Sequence, residues 1–446
     1  MGLTLCCAPA GDMAIPAFDA ELEVNRGWDS CPPVLGWNGP AHVEHLGLRL
    51  VSRRCEDGVP HRPVRLFGRC AAVFALATFA LACGARGALA QGVADTVAAA
   101  PAVSAERPSD SLRLALVHTL YGRISPKSVV ATQAGLLFAQ NMMYQHTITV
   151  YDESTFELVK TIRDDVRLSD FGIVAPFGGR RVRGAPVEAA VTPDRRHVYV
   201  SNYSMFGPGF DRPGSDRGTP ADRADSSYVY RLPLSTLEVD QVIRVGAVPK
   251  SLAVTPDGRL LLVSNWDSFT LSVVDVGVGR ESRQIRLGPY PRGIAVDRAS
   301  RFAYVAVMGS RAVARVDLSN FEVSWIRGVG GGPRHVVISP DDRFLYLTLN
   351  QTGRVAKVDL GTGKVVAEVA TGSQPRSMAM APDGRSLYVV NNASSTLCKV
   401  RTSDMTVLQT LPTGTHPIGI TYVEATHQVW VAIYRGAIEI YSDIAP

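Results

Sequence analysis

From Gly246 to Asn265 the chain reads GAVPKSLAVTPDGRLLLVSN, and this stretch decides the fold. Two short apolar runs, Ser251–Thr255 and Leu260–Ser264, flank the turn Thr255-Pro256-Asp257-Gly258. Proline presets φ near about −65° at the second turn position, and glycine suits the last one, so the runs read as antiparallel strands joined by a tight link. Leu271–Val274 and Arg283–Leu287 follow as two further strands. Together they make a unit of four strands, A to D.

The unit recurs. Prolines opening the same phrase stand at Pro126, Pro186, Pro249, Pro291, Pro333, Pro375 and Pro417, and the last four intervals are each 42 residues. Gly246, Gly288, Gly330, Gly372 and Gly414 keep the same period. Related A–B turns occur at Pro193-Asp194, Pro340-Asp341 and Pro382-Asp383-Gly384, while unit four departs with Val296-Asp297-Arg298. Seven four-stranded units of this length predict an all-β fold, a seven-bladed β-propeller of antiparallel blades. The seventh unit has strands A (Ile418–Val423), B (Gln428–Ile433) and C (Ala437–Tyr441) but no D. Leu112–Leu120 has the pattern of an unassigned D strand, so an N-terminal strand is expected to close the last blade and remove an open edge.

The ends of the B strands carry a family resemblance: Tyr199-Val200-Ser201-Asn202, Leu262-Val263-Ser264-Asn265 and Tyr388-Val389-Val390-Asn391. With the preceding turns they resemble the YVTN-repeat β-propeller family, which includes YncE-like exported proteins. The resemblance covers roughly residues 112–446; the copies Tyr304–Val307, Tyr346–Leu349 and Trp430–Ile433 lose the asparagine. It implies the fold and export, and little chemistry, because propellers host binding modules, scaffolds and enzymes.

The remaining sequence is organised around this domain, residues 111–446. Residues 1–60 show no periodicity and read as an over-extended or unstructured N-terminus. Within residues 61–90, basic residues (Arg62, Arg65, Arg69) precede an apolar run from Cys70 to Ala85 and the site Ala88-Leu89-Ala90. This is the make-up of a signal peptide cleaved near Ala90, and the run is short for a membrane span. A signal-anchor, or a lipid anchor at Cys83, is the alternative. Residues 91–110 read as a flexible leader. Six of the seven cysteines precede residue 91, which leaves Cys398 as a small core residue and excludes an intrachain disulfide in the mature domain. Residues 1–90 hold eight basic and eight acidic side chains, so the net +5 belongs entirely to the rest. That mild charge argues against a dedicated duplex-DNA binder. No nucleophile elbow, HExxH, Walker loop, dinucleotide fingerprint or CxxCH haem site occurs, so no cofactor is expected.

Three features fall on the face formed by the D–A and B–C connections. The residue after each repeat proline is Lys127, Val187, Lys250, Arg292, Arg334, Arg376 or Ile418. Five are basic, and pseudo-symmetry gathers them at the mouth of the channel, where they either attract an anion or pair with carboxylates of their own blades. The second feature is an insertion of roughly Asp165 to Ala185, with Phe171, Phe177, Arg180, Arg181 and Arg183. The third runs from Tyr203 to Ser227 and holds Phe206, Phe210, Arg212, Arg217 and Arg223 among the aspartates Asp211, Asp216, Asp222 and Asp225. Those aspartates are the candidate calcium ligands, against a solvated loop with internal ion pairs. Glu188 and His335 break the Ser/Gly rule at the second position after the proline and are the candidate proton-transfer residues. Asp152, Asp275, Asp317, Asp359 and Asp443 recur at the end of strand C, which suits turn capping.

The expected function is an exported, monomeric binding or scaffold module, without a membrane span in its mature form. Its partner would be an anionic small molecule, polymer or protein. The alternatives are a lactonase or another propeller hydrolase or oxidoreductase using Glu188 and His335, and single-stranded nucleic acid binding with Tyr203, Phe206 or Phe177 stacking.

Overall fold

A computed structural model describes residues 107–173 and 179–444 of the chain. The export stretch, its cysteines, most of the leader and Phe177 lie outside the described residues. The described part is all-β: seven four-stranded antiparallel sheets, one two-stranded hairpin and three short 3-10 turns. No described helix is long and apolar enough to cross a membrane.

Blade 3 shows how the repeat folds. Its strands are Pro249–Val254, Leu260–Asn265, Thr270–Asp275 and Arg280–Arg286, hydrogen-bonded in that order. At the A–B link the Gly258 amide donates to the Thr255 carbonyl (2.8 Å), Thr255 bonds Asp257 through its hydroxyl (2.5 Å), and Gly258 takes φ +73°. Strands B and C are buried on both faces between neighbouring blades, which is why Leu261, Leu262, Val263, Leu271 and Val273 read as unbroken apolar runs. Strand D is mostly exposed, with Ile285 turned into the core.

The last blade closes as expected: its sheet order is Arg113–Tyr121, Ala437–Ile444, Gln428–Ile433, Pro417–Val423. Four of the recurrent aspartates cap the C–D turn, accepting amide hydrogens from Ser154 and Thr155, Val278, Ser319 and Thr362. Asp443 differs. It is buried against blade 6, where Lys399 and the Tyr388 hydroxyl bond its carboxylate, and Lys399 also reaches the Leu112 carbonyl (3.0 Å). In this blade strand D comes from the other end of the domain, so there is no C–D turn for Asp443 to cap. Cys398 is fully buried, as a core residue should be.

Candidate functional site

The innermost strands deliver the basic residues to one place. In blades 2 to 7 the A–B pairing shifts register just after the repeat proline, at or beside the ring position. Such an irregularity re-aims a side chain, here at the ring itself. The residue before the proline is left-handed in blades 3 to 7, at Val248, Tyr290, Gly332, Gln374 and His416. Four of these are not glycine, and that conformation costs an ordinary residue about 1–2 kcal/mol. The close approach of neighbouring A strands also leaves little room: a Cβ on Gly293 would meet the His335 Cα at 2.9 Å.

Lys127, Lys250, Arg292 and Arg334 are buried and Arg376 is half-buried. They share one electrostatic neighbourhood. Burial first, then the charges of Arg292, Arg376, Lys250 and Arg334, hold the Lys127 ammonium well below the usual lysine range. Burial brings Lys250 down to about 8 despite the opposing pull of Asp216. Two of these cations face a carboxylate among the described residues. Lys250 pairs with Asp216 at 2.6 Å, and Arg292 stands 4.0 Å from Glu188. Burial alone would raise Asp216, but the charges of Lys250 and Lys127 outweigh it and hold the carboxyl well below the usual range. Ion pairing within the mouth is therefore partial, and the ring is more enclosed than a row of surface charges.

A second ring, not anticipated from the sequence, supports the first. One residue past strand B come Met142, Tyr203, Trp266, Met308, Asn350, Asn392 and Tyr434. Each serves the next blade. The Lys127 ammonium lies 5.7 Å from the Tyr434 ring centre, Lys250 lies 4.2 Å from Tyr203, and Arg292 lies 5.9 Å from Trp266. Arg334 reaches the Met308 Sδ at 3.7 Å, while Asn350 and Asn392 donate to the carbonyls of Pro375 and Pro417. Cations over aromatic faces keep part of the solvation that burial removes. The spacing was visible in the repeat, but the residue types vary too much to be read as one feature without the geometry.

The second insertion joins this site and the first does not. Asp216 is its point of contact: besides Lys250, it takes the Tyr203 hydroxyl (3.3 Å), and its carbonyl accepts the Trp266 indole N–H (3.0 Å). The loop is clamped at Gly218, where a Cβ would meet the Asp267 carboxylate at 2.2 Å. The other aspartates are placed elsewhere. Asp222 caps a 3-10 turn with Thr219, and Asp225 accepts the Arg212 amide (2.7 Å). Asp211 is exposed. Among the described residues no group of three or more His, Cys, Asp or Glu is placed to hold a metal ion. Chelator is expected to leave the melting temperature unchanged; a fall of several degrees on adding EDTA would restore the calcium reading.

Of the first insertion, Arg181 pairs with Asp165 (3.0 Å) within the hairpin Asp165–Arg167 and Arg181–Arg183, and Arg180 and Arg183 are exposed. Phe210 packs edge-on against Tyr228 in the core between blades 1 and 2, and Phe206 packs edge-on against His146. Neither phenylalanine is at the mouth cluster. His146, Arg163, Asp164, Asp165 and Arg183 line a separate cleft of about 240 Å³. Glu188 and His335 both face Arg292; burial raises the Glu188 carboxyl and lowers the His335 imidazole to about 4.

Fold and mouth together define the class: the chain is a seven-bladed β-propeller. No family model matches it, and no curated protein does. Among solved structures it is similar to hydrazine synthase of Kuenenia stuttgartiensis, at 19% identity and a TM-score of 0.57, over 73% of this chain and 98% of that one. That likeness speaks for the fold alone.

Proposed function

We propose that this chain is an exported, YVTN-type binding propeller whose channel mouth holds an anionic ligand or the anionic part of a partner. The observation that carries this reading is buried positive charge at the mouth without a carboxylate: among the described residues no carboxylate oxygen lies within 4.0 Å of Lys127 or Arg334, while Asp216 and Glu188 answer Lys250 and Arg292. A structural role for the ring would favour equal pairing, since unbalanced buried charge is destabilising. The concave, low-dielectric mouth strengthens the attraction for a counter-charge. Replacing Arg292, Arg334 and Arg376 together by Ala is expected to weaken anion binding at least 100-fold, measured by calorimetry against a panel of inorganic and organic anions. The unfolding transition should be retained or raised. Binding that is unchanged in the variant at both low and high salt would refute the reading.

A lactonase is the second reading, favoured by an acid and a neutral imidazole, Glu188 and His335, lying beside the same guanidinium. A lactone-hydrolysis screen with and without divalent metal separates the two. Export rests on residues 61–90, and the mass of the mature protein would test it.

A further inference from the structure

Asp216 reaches the mouth on a segment that the repeat does not supply. Other blades join strands B and C by short turns such as Trp266–Phe269, whereas blade 2 uses Tyr203–Ser227. Three donors meet Asp216, and the propeller body holds all three. Lys250 lies in strand A of blade 3, Trp266 follows its strand B, and the Tyr203 amide is tied to the Ala185 carbonyl (2.8 Å). The Lys250 ammonium (2.6 Å) and the Tyr203 hydroxyl (3.3 Å) donate to the carboxylate. The Trp266 indole N–H donates to the main-chain carbonyl of the same residue (3.0 Å). Together they read a carboxylate and a peptide carbonyl offered by one residue.

The segment that supplies this residue is held by polar contacts. From Asp211 to Asp225 Gly218 alone is buried, so no apolar side chain anchors it. Arg212 and Asp225 bond each other and close the segment on itself. Its seat is the Asp267 carboxylate, where the Ser215 amide stands 3.4 Å from Oδ2 and no described residue donates to Oδ1. The Asp216 side chain is 38% exposed and that of Lys250 5%, so the acid lies over the cation with solvent at its back. Segments with few buried apolar contacts open at low cost.

Resting on the anion-site reading above, we propose that Lys250, Tyr203 and Trp266 form a subsite for an aspartate within a polypeptide partner, and that Asp216 is a tethered stand-in which the partner's segment displaces. A carboxylate on a short tether competes at an effective concentration on the order of millimolar, so the loop sets a threshold that weak anions do not cross.

Isothermal titration calorimetry at about pH 7, where Lys250 still carries its charge, tests this with sodium sulfate and two blocked peptides, Gly-Ser-Asp-Gly-Gly and Gly-Ser-Asn-Gly-Gly. Asp216→Ala is expected to tighten the aspartyl peptide about tenfold or more. Asp216→Asn replaces it if the shorter side chain unsettles the fold. Loss of one negative charge helps every anion, and doubly charged sulfate most, so a peptide gain larger than the sulfate gain reports a vacated subsite. The asparaginyl peptide should stay weak, and adding Lys250→Met should abolish the gain. In the parent, the aspartyl peptide should speed tryptic cleavage after Arg217 and Arg223 as the loop leaves. If no probe binds either protein, the anion-site reading itself fails. If sulfate binds but the peptide gain does not exceed its own, survives Lys250→Met or is matched by the asparaginyl peptide, the anion site stands and this inference is overturned. Cleavage that the aspartyl peptide leaves unchanged overturns it as well.

Discussion

Deleting residues 108–124 is expected to abolish cooperative unfolding or soluble expression. The segment supplies strand D of blade 7, paired from Arg113 opposite Ile444 to Tyr121 opposite Ala437. Without it, the strand Ala437–Ile444 becomes an open edge, a template for association with other chains. Leu114 is withdrawn from the cluster that includes Tyr388, Val431 and Tyr441. Contacts to blade 6 go with it: Gln409 bonds both the amide and the carbonyl of Leu114 (2.9 Å each), and Ser109 bonds Asp383. At the centre of the closure, burial works against the charge of Lys399, and Asp443 only partly offsets it. Lys399→Met leaves Asp443 buried without its ion-pair partner, which costs about 3–5 kcal/mol. It should therefore reproduce part of the deletion. Calorimetry on both proteins is the measurement, and a truncated protein with an unchanged melting transition would show that the ring closes without this strand.

The reach of the sequence follows from what repeats. Strand positions, turns and the missing seventh D strand repeat every 42 residues, so period alone located them. The ring of basic residues was legible for the same reason. Pairings made by unrepeated segments were not: Asp216 lies 34 residues before Lys250, in an insertion without an equivalent in other blades. Asp443 misled because its spacing matches the turn-capping aspartates while its surroundings come from Lys399 and Leu112. The aromatic and thioether shelf from Met142 to Tyr434 had the right period but no common residue type. Its role emerges only once Tyr434, Tyr203, Trp266 and Met308 are seen against the cation of the next blade.

Asp164 leads to the other large expected effect, a stability that declines with rising pH and is recovered by one substitution. It ends strand D of blade 1, where later blades place the buried residues Val245, Leu287, Val329 and Thr371. Its carboxyl is 1% exposed, and the two donors beside it, the Tyr230 hydroxyl and the Gly184 amide, fall short of good hydrogen-bond geometry to either oxygen. Its surroundings contain the Tyr230 hydroxyl, the Gly184 amide, Asp165 and Arg183. A Cβ built on Gly184 would meet Asn202 Oδ1 at 2.3 Å and Asp164 Oδ1 at 2.6 Å, so two buried acceptors face the same point. At the equivalent junction of blades 5 and 6, the Thr371 hydroxyl donates to Asn391 Oδ1 (2.9 Å). Protonated, Asp164 would bring a donor of the same kind to this junction.

Burial raises this carboxyl from 3.8 to about 8. Between about pH 4 and about pH 8 the folded chain keeps a proton that the unfolded chain releases, so stability falls as pH rises through that window. At about 1.4 kcal/mol per pKa unit the full loss approaches about 6 kcal/mol, an upper bound that water entering the cleft would reduce. Asp164→Thr retains the donor and removes the titration. The variant should match the parent near pH 4 and exceed it by about 2–5 kcal/mol at pH 8.5 in urea unfolding. Parallel stability profiles for the two proteins from pH 4 to pH 9 would place the proton elsewhere. A crossing or convergence at low pH identifies Asp164 as a hydroxyl substitute that works only while protonated.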